Sequence, residues 1–192
     1  MIDNFEKHSA IVCIDFQKEY LYTTSEKFPN SIDAQFPQLS NNVKNLLSRA
    51  RDRNMFIIHV NEKDDKEKSK WMPWWYTLHP LGFGDGHGDI APFAKPLPNE
   101  VLLTKHTFDL FASVGDEFDI YAQKHQINRL YFCGVLTKAC VMFSANSAFL
   151  RGYEVYVLED CCGDRSVTEH KAVLNLYDQY HIKVINSNNL FL

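Results

Sequence analysis

Three residues far apart in this chain have side chains that together could run a covalent hydrolysis: Asp15, Lys105 and Cys140. Cys140 lies in the stretch Gly134-Val-Leu-Thr-Lys-Ala-Cys140-Val-Met-Phe-Ser-Ala-Asn-Ser-Ala. Upstream, Leu130–Cys133 has the apolar run of a buried strand; downstream, an alanine-rich segment carries apolar residues at helical spacing. The sulfur therefore falls where a strand hands over to a helix. Free amides and the positive end of the helix dipole gather at such a place and favour thiolate over thiol. An isolated free cysteine is most often an inert core residue, so the chemistry depends on its companions. Asp15 closes the apolar run Ala10–Asp15, and Lys105 closes Glu100–Lys105.

The three groups make a coherent set. A lysine beside a cysteine lowers the thiol pKa and makes a ready nucleophile. A carboxylate within reach accepts the thiol proton and returns it to a leaving group. Main-chain amides in the turn before Cys140 are placed to receive the oxyanion of a tetrahedral intermediate.

The elements that must gather these residues alternate regularly. Strands are expected at Ala10–Asp15, Met55–Val60, Glu100–Lys105, Arg129–Cys133, Glu154–Glu159 and Ile182–Ile185. Helices are expected at Leu39–Arg53, Val114–Gln126, Lys138–Arg151 (stopped by Gly152) and Val167–Tyr180. Short apolar strands alternating with helices predict an α/β fold of three layers, a doubly wound, mainly parallel sheet of about six strands with helices on both faces. Ligands bind such sheets outside the carboxyl ends of the strands, where Asp15, Lys105 and Cys140 all fall. The stretch from Asn61 to Asn99 is too long for a mere connection and is expected to form a lid, a pocket wall or an interface.

Composition excludes several classes of function. The chain has 192 residues, a 45% hydrophobic fraction and 14% aromatics, which is ample for one packed core. Net charge is −4 with scattered basic residues, so no nucleic-acid surface is expected. The mixed charge run from Asn61 to Lys70 is expected to be a solvated loop or helix end. The number of cysteines, five, is odd and two are adjacent, which does not suit a disulfide framework and fits a reducing, cytoplasmic location. Cys13 and Cys133 are expected inside strands, and Cys161 and Cys162 just past a strand end, none with a catalytic role. No signal peptide and no membrane span of roughly 20 apolar residues is evident.

Ile11-Val-Cys-Ile-Asp15-Phe-Gln, Thr104-Lys105-His-Thr-Phe-Asp-Leu-Phe and Gly134-Val-Leu-Thr-Lys-Ala-Cys140-Val resemble the three signature segments of the isochorismatase-like cysteine hydrolases. The tail Arg151-Gly-Tyr-Glu-Val-Tyr-Val-Leu-Glu-Asp160-Cys-Cys-Gly-Asp164 is similar to the segment downstream of the nucleophile in that superfamily. The resemblance covers nearly the whole chain and implies one domain of that kind over residues 1–192. It also implies Asp15 as acid/base, Lys105 as electrostatic partner and Cys140 as nucleophile. A non-proline cis peptide at Val135–Leu136 is implied as well, with the amides of Leu136 and Cys140 forming the oxyanion hole. Members are commonly dimers or tetramers, so a homo-oligomer is expected.

The preferred function is cofactor-free hydrolysis of an amide or related C–N bond of a small molecule. Cleavage of an isochorismate-like vinyl ether is a second possibility; its two carboxylates would call on Lys138, Arg165 or Lys95. A non-catalytic binding module on the same fold is a third. Gln17, Trp71, Trp74, Trp75 and Phe111 are candidates for binding substrate. The chain's 3 tryptophans all lie in Trp71-Met-Pro-Trp-Trp-Tyr76, which suits either an aromatic pocket wall or a hydrophobic plug. Phe16, Gln17, Phe108 and Phe111 flank the catalytic candidates, and core packing is the expected role of Phe108 and Phe111. Superfamily members that bind a metal use an Asp-x-His pair after the second strand, which His59–Asp65 lacks. His79, Asp85 and His87 have a spacing that reaches one ion, but the glycine-rich turn Gly82–Gly88 accounts for the same residues, and no metal is expected. His106 is expected to be structural.

Overall fold

The computed structural model describes residues 5–63, 65, 73–78, 89–177 and 182–191. The strands are β1 Ser9–Ile14, β2 Phe56–Glu62, β3 Val101–Lys105, β4 Arg129–Val135, β5 Glu154–Gly163 and β6 Lys183–Ile185. They form one parallel sheet in the order β3-β2-β1-β4-β5-β6. This is the expected doubly wound α/β sheet, and its order reverses between β1 and β4, where ligand crevices open in such folds. Every residue of β1 is buried, as is β4 from Leu130 to Val135, which explains why both segments read as continuous apolar runs rather than alternating ones.

The helices are α1 Lys18–Tyr22, α2 Ile32–Gln35, α3 Leu39–Asp52, α4 Pro73–Leu78, α5 Leu110–Lys124, α6 Met142–Leu150 and α7 Val167–Tyr177. In α3 the buried residues are Leu39, Val43, Leu46, Leu47 and Ala50, a single apolar stripe at helical spacing. α5 starts four residues before its expected beginning at Val114, because the Asp109 side chain accepts the Phe111 N–H at 2.9 Å and caps an extra turn. Val114 then departs from helical geometry, so the two turns meet at a kink. The short helices α1, α2 and α4 lack enough periodic residues to be legible in sequence. The last residues of the expected Val167–Tyr180 helix lie outside the described residues, as do Trp71, His79, Asp85 and His87. β5 runs past its expected end at Glu159, so Cys161 and Cys162 are buried within the strand rather than beyond it. No helix among the described residues is long and apolar enough to cross a membrane.

Gly134 holds β1 and β4 together at the switch point. Its φ is 143°, and a Cβ there would sit 2.1 Å from the Ile14 carbonyl oxygen. Only glycine allows this approach, and the approach brings the ends of the two strands side by side. Replacement of Gly134 by Ala is expected to lower stability by roughly 2–4 kcal/mol in urea denaturation. Gly152, also at positive φ but with nothing within 4 Å of its would-be Cβ, is expected to cost only about 1 kcal/mol on the same change. Equal losses at the two positions would contradict this account of the strand contact.

Candidate active site

Each side chain at the crevice is placed by the end of a strand. β1 stops at Ile14, and Asp15 takes a left-handed conformation, φ 51°, while its N–H donates to the Val60 carbonyl at 2.9 Å. The turn drives the Asp15 carboxylate inward to full burial. β2 does not stop at Val60 as expected but continues two residues to Glu62, which lies in register with Lys105 of β3. Gln17 fixes that extension: its Oε1 accepts the Glu62 N–H at 2.6 Å and its Nε2 donates to the Glu62 carbonyl at 3.0 Å. The expected solvated charge run therefore begins with a strand residue that is 2% exposed.

After β4, the Val135–Leu136 peptide is cis, and Thr137–Val141 forms a single π-helical turn before α6. Cys140 is on this turn rather than in the first turn of the α-helix. The turn is tied to the end of β5. The Thr137 hydroxyl donates to the Gly163 carbonyl at 3.0 Å and pairs with His170 Nδ1 at 2.8 Å. The buried Asp164 carboxylate accepts the Lys138 N–H at 2.8 Å and the Arg165 N–H at 2.7 Å.

The structure brings Asp15, Lys105 and Cys140 together. Lys105 Nζ is 2.7 Å from Asp15 Oδ2, 3.3 Å from Glu62 Oε2 and 3.5 Å from Cys140 Sγ. All four side chains are buried, Asp15 and Lys105 completely. Tyr20 donates its hydroxyl to Glu62 Oε2 at 3.2 Å. Burial pushes the Asp15 carboxyl up, Lys105 pulls it back and Glu62 raises it again, to about 6. Burial works against the Lys105 ammonium, but Asp15, Cys140 and Glu62 more than compensate, and its pKa lies above the ordinary lysine value. Burial raises the Cys140 thiol well above its usual range; Lys105 opposes this, and the two carboxylates add to it. That reverses the expectation of a lowered thiol pKa, because desolvation and two neighbouring carboxylates outweigh one ammonium. A raised thiol pKa disfavours a standing thiolate, so a nucleophile at this position would call on a neighbouring base.

Beside the cluster is a cavity of about 420 Å³. Its wall includes Tyr20, Phe28, Glu62, Trp75, Phe108, Leu136, Cys140 and Arg165. Trp75 meets Phe108 edge to face at 5.1 Å, and Phe108 stacks on Phe143 at 6.0 Å. Of the residues proposed from sequence to bind substrate, Trp75 is on this wall. Trp74 is 63% exposed and is not among the lining residues. Phe111 packs in the core against Phe118 and Tyr153. Gln17 is buried and occupied with the Glu62 main chain. His106 pairs with the Lys63 carbonyl through Nδ1 at 2.8 Å.

Glu62 is the site residue that the sequence hid. Strand-end logic would have found it had β2 been extended to the register of Lys105, but the following charges Lys63, Asp64 and Asp65 masked it as the first member of a polar run. The donor atoms of Asp15, Glu62 and Cys140 all lie within 4.8 Å of one another, a set that suits a cation. Lys105 Nζ, at its three distances above, is that cation, and a metal ion would have to displace a buried ammonium.

Residues 9–189 match the family model described as the isochorismatase domain. Maleamate amidohydrolase of Pseudomonas putida is 25% identical over 178 residues, covering 91% of this chain and 80% of that protein. An isochorismatase family protein from Desulfovibrio vulgaris superposes with a TM-score of 0.79 at 20% identity, covering 96% of each chain. N-carbamoylsarcosine amidase from Thermoplasma acidophilum superposes with a TM-score of 0.72 at 18% identity, covering 93% of this chain and 96% of that one.

Replacement of Lys105 by Met leaves two carboxylates buried without their ammonium. Without that cation the Asp15 carboxyl is raised further above its unfolded value, so the folded state holds on to a proton that the unfolded chain releases, and the penalty grows as pH rises from 5 to 8. The variant is expected to lose about 3–5 kcal/mol at pH 8 and markedly less at pH 5, measured by urea denaturation at each pH. An equal loss at both would show that the ammonium does not hold ionised partners.

Proposed function

The chain belongs to the isochorismatase family, and on that premise we propose that it is a cysteine hydrolase cleaving an amide or related C–N bond of a small molecule through a covalent intermediate on Cys140. The observation that carries the proposal is Lys105 Nζ lying within contact of both Asp15 and Cys140 in a buried cluster at the edge of the cavity. In the proposed cycle the thiol proton passes to Asp15 as the sulfur adds to the carbonyl carbon. The carbonyl electron pair moves onto oxygen, which the N–H groups of Leu136 and Cys140 receive. Collapse of the tetrahedral species breaks the C–N bond, and the nitrogen leaves with the proton from Asp15. Water then attacks the thioester, giving a proton to Asp15; that proton returns to sulfur as the acid product departs. Lys105 stays charged throughout and offsets whichever neighbour is anionic.

The relatives named for an amidohydrolase and an amidase support C–N chemistry over vinyl-ether cleavage. So do the cations. Of Lys138, Arg165 and Lys95, only Arg165 lines the cavity. Lys138 is engaged by Glu169 and Asp164, and Lys95 is exposed. Among the described residues, a dianionic substrate would find one cation lining the cavity, Arg165, besides the buried Lys105. The aromatic part of the wall, Tyr20, Phe28, Trp75 and Phe108, suits a small, partly flat acyl group. The homo-oligomer belongs to the same proposal, with α6, whose Phe143, Phe149 and Leu150 are exposed, as its interface.

Ammonia release from a panel of small primary amides is expected to be lost on changing Cys140 to Ala, while circular dichroism and the urea midpoint stay near those of the parent protein. The value of kcat/KM is expected to fall as pH drops below about 6, where the buried Asp15 becomes protonated and cannot take the thiol proton. Full activity in the Cys140 variant would rule out the covalent route.

A further inference from the structure

The cluster holds one carboxylate more than the proposed cycle needs. Asp15 takes and returns the proton, yet Asp15 is not among the residues lining the cavity, whereas Glu62 is. Glu62 Oε2 is occupied by Lys105 Nζ at 3.3 Å and by the Tyr20 hydroxyl at 3.2 Å. Glu62 Oε1 is buried and has no hydrogen-bond partner among the described residues. A buried carboxylate oxygen without a donor is costly, and such groups ordinarily find one. The geometry points to the bound substrate as the source.

We propose that Glu62 is the specificity residue that makes this site select C–N over C–O bonds: its Oε1 accepts an N–H from the nitrogen of the scissile amide. The proposal rests on the amidase function above and adds to it the group that recognises the leaving nitrogen.

The distances allow it. A carbonyl carbon positioned for attack lies about 3–3.5 Å from the sulfur, and its nitrogen is about 1.3 Å further on. One of the two Glu62 carboxylate oxygens lies within 4.8 Å of Cys140 Sγ, so a substrate nitrogen turned toward the Glu62 carboxylate can come into hydrogen-bonding range. A primary amide or a urea presents an N–H there in the ground state. As the nitrogen takes up the proton from Asp15, its N–H bonds become more acidic and the hydrogen bond to the carboxylate strengthens, so the contact favours the transition state over bound substrate. The C–N bond then breaks with its electron pair going to nitrogen, and Glu62 neither gains nor loses a proton. An ester presents only lone pairs at the same place and meets a carboxylate with no donor between them.

The substitution Glu62→Gln tests this sharply. The position of Oε2 faces two donors, the Lys105 ammonium and the Tyr20 hydroxyl, so the glutamine oxygen is expected to settle there and its NH₂ to take the place of Oε1. An acceptor becomes a donor with little change in shape. Benzamide and methyl benzoate, which share an acyl group that suits the aromatic wall, are the probes. The ratio of kcat/KM for benzamide to that for methyl benzoate is expected to fall by roughly 10- to 100-fold in E62Q. An unchanged ratio, with both substrates falling together, would overturn the proposal and leave Glu62 as a support for Lys105. Binding of the two probes to the Cys140→Ala protein, by calorimetry, needs no turnover. There benzamide is expected to bind about tenfold more tightly than the ester, with the preference lost or reversed when E62Q is added. Equal binding of amide and ester to the Cys140→Ala protein would also overturn it. Failure of the parent protein to hydrolyse either probe, with the binding preference intact, would count against the hydrolytic function and leave the role of Glu62 standing.

Discussion

A single ammonium in a buried place organises this molecule. Lys105 has no exposure to solvent; its charge is balanced by the carboxylates of Asp15 at 2.7 Å and Glu62 at 3.3 Å, and it also reaches the Cys140 sulfur at 3.5 Å. Removing charges from water costs several kcal/mol each, and well-packed apolar side chains would serve stability at least as well. Such an arrangement is explained by chemistry rather than by folding. The fold then has to keep the charges in register. β2 and β3 end side by side, so that Glu62 and Lys105 are paired neighbours. Gly134 lets β4 approach β1 closely enough to bring the Cys140 turn to the Asp15 side of the sheet. The Thr137 hydroxyl and the Asp164 carboxylate anchor that turn to the end of β5.

The electrostatics of the cluster favour proton exchange over a standing thiolate. Burial and the two carboxylates raise the Cys140 thiol, while Asp15 sits at about 6, high for a carboxyl but low enough to be ionised near neutrality. In the proposed cycle the negative charge therefore rests on Asp15 before a substrate carbonyl arrives. The proton would move to Asp15 and the charge to the substrate oxygen as sulfur attacks, with Lys105 within reach of both Asp15 and Cys140. No fully developed anion has to be carried on an unpaired atom in the dry interior. The lowered thiol pKa expected from a helix N-terminus is absent for a local reason: Cys140 is buried in a π-helical turn, and desolvation with two nearby carboxylates outweighs the Lys105 ammonium.

Much of this was legible in the residues. The alternation of apolar runs and helical stripes fixes the doubly wound sheet, and the rule that ligands bind at strand carboxyl ends singles out Asp15, Lys105 and the Cys140 turn. The illegible part depends on partners distant in sequence. Glu62 looks like the start of a solvated charge run until β2 is laid against β3. Gln17 looks like a pocket residue, but its amide is spent on the Glu62 main chain. Phe108 and Phe111 are three positions apart and chemically alike, yet the start of α5 puts one on the cavity wall and the other in the core. Trp75 reaches the wall through α4, a helix too short to leave a periodic signal.

The pH dependence of Cys140 alkylation by iodoacetamide, read residue by residue by mass spectrometry, tests the central claim most directly. If the thiol gives its proton to Asp15 under the influence of Lys105, alkylation of Cys140 rises through about pH 6 and then levels, with the other buried cysteines unlabelled. A rate at Cys140 with no step near pH 6, climbing only in the alkaline range where the raised thiol ionises by itself, would contradict proton transfer to Asp15.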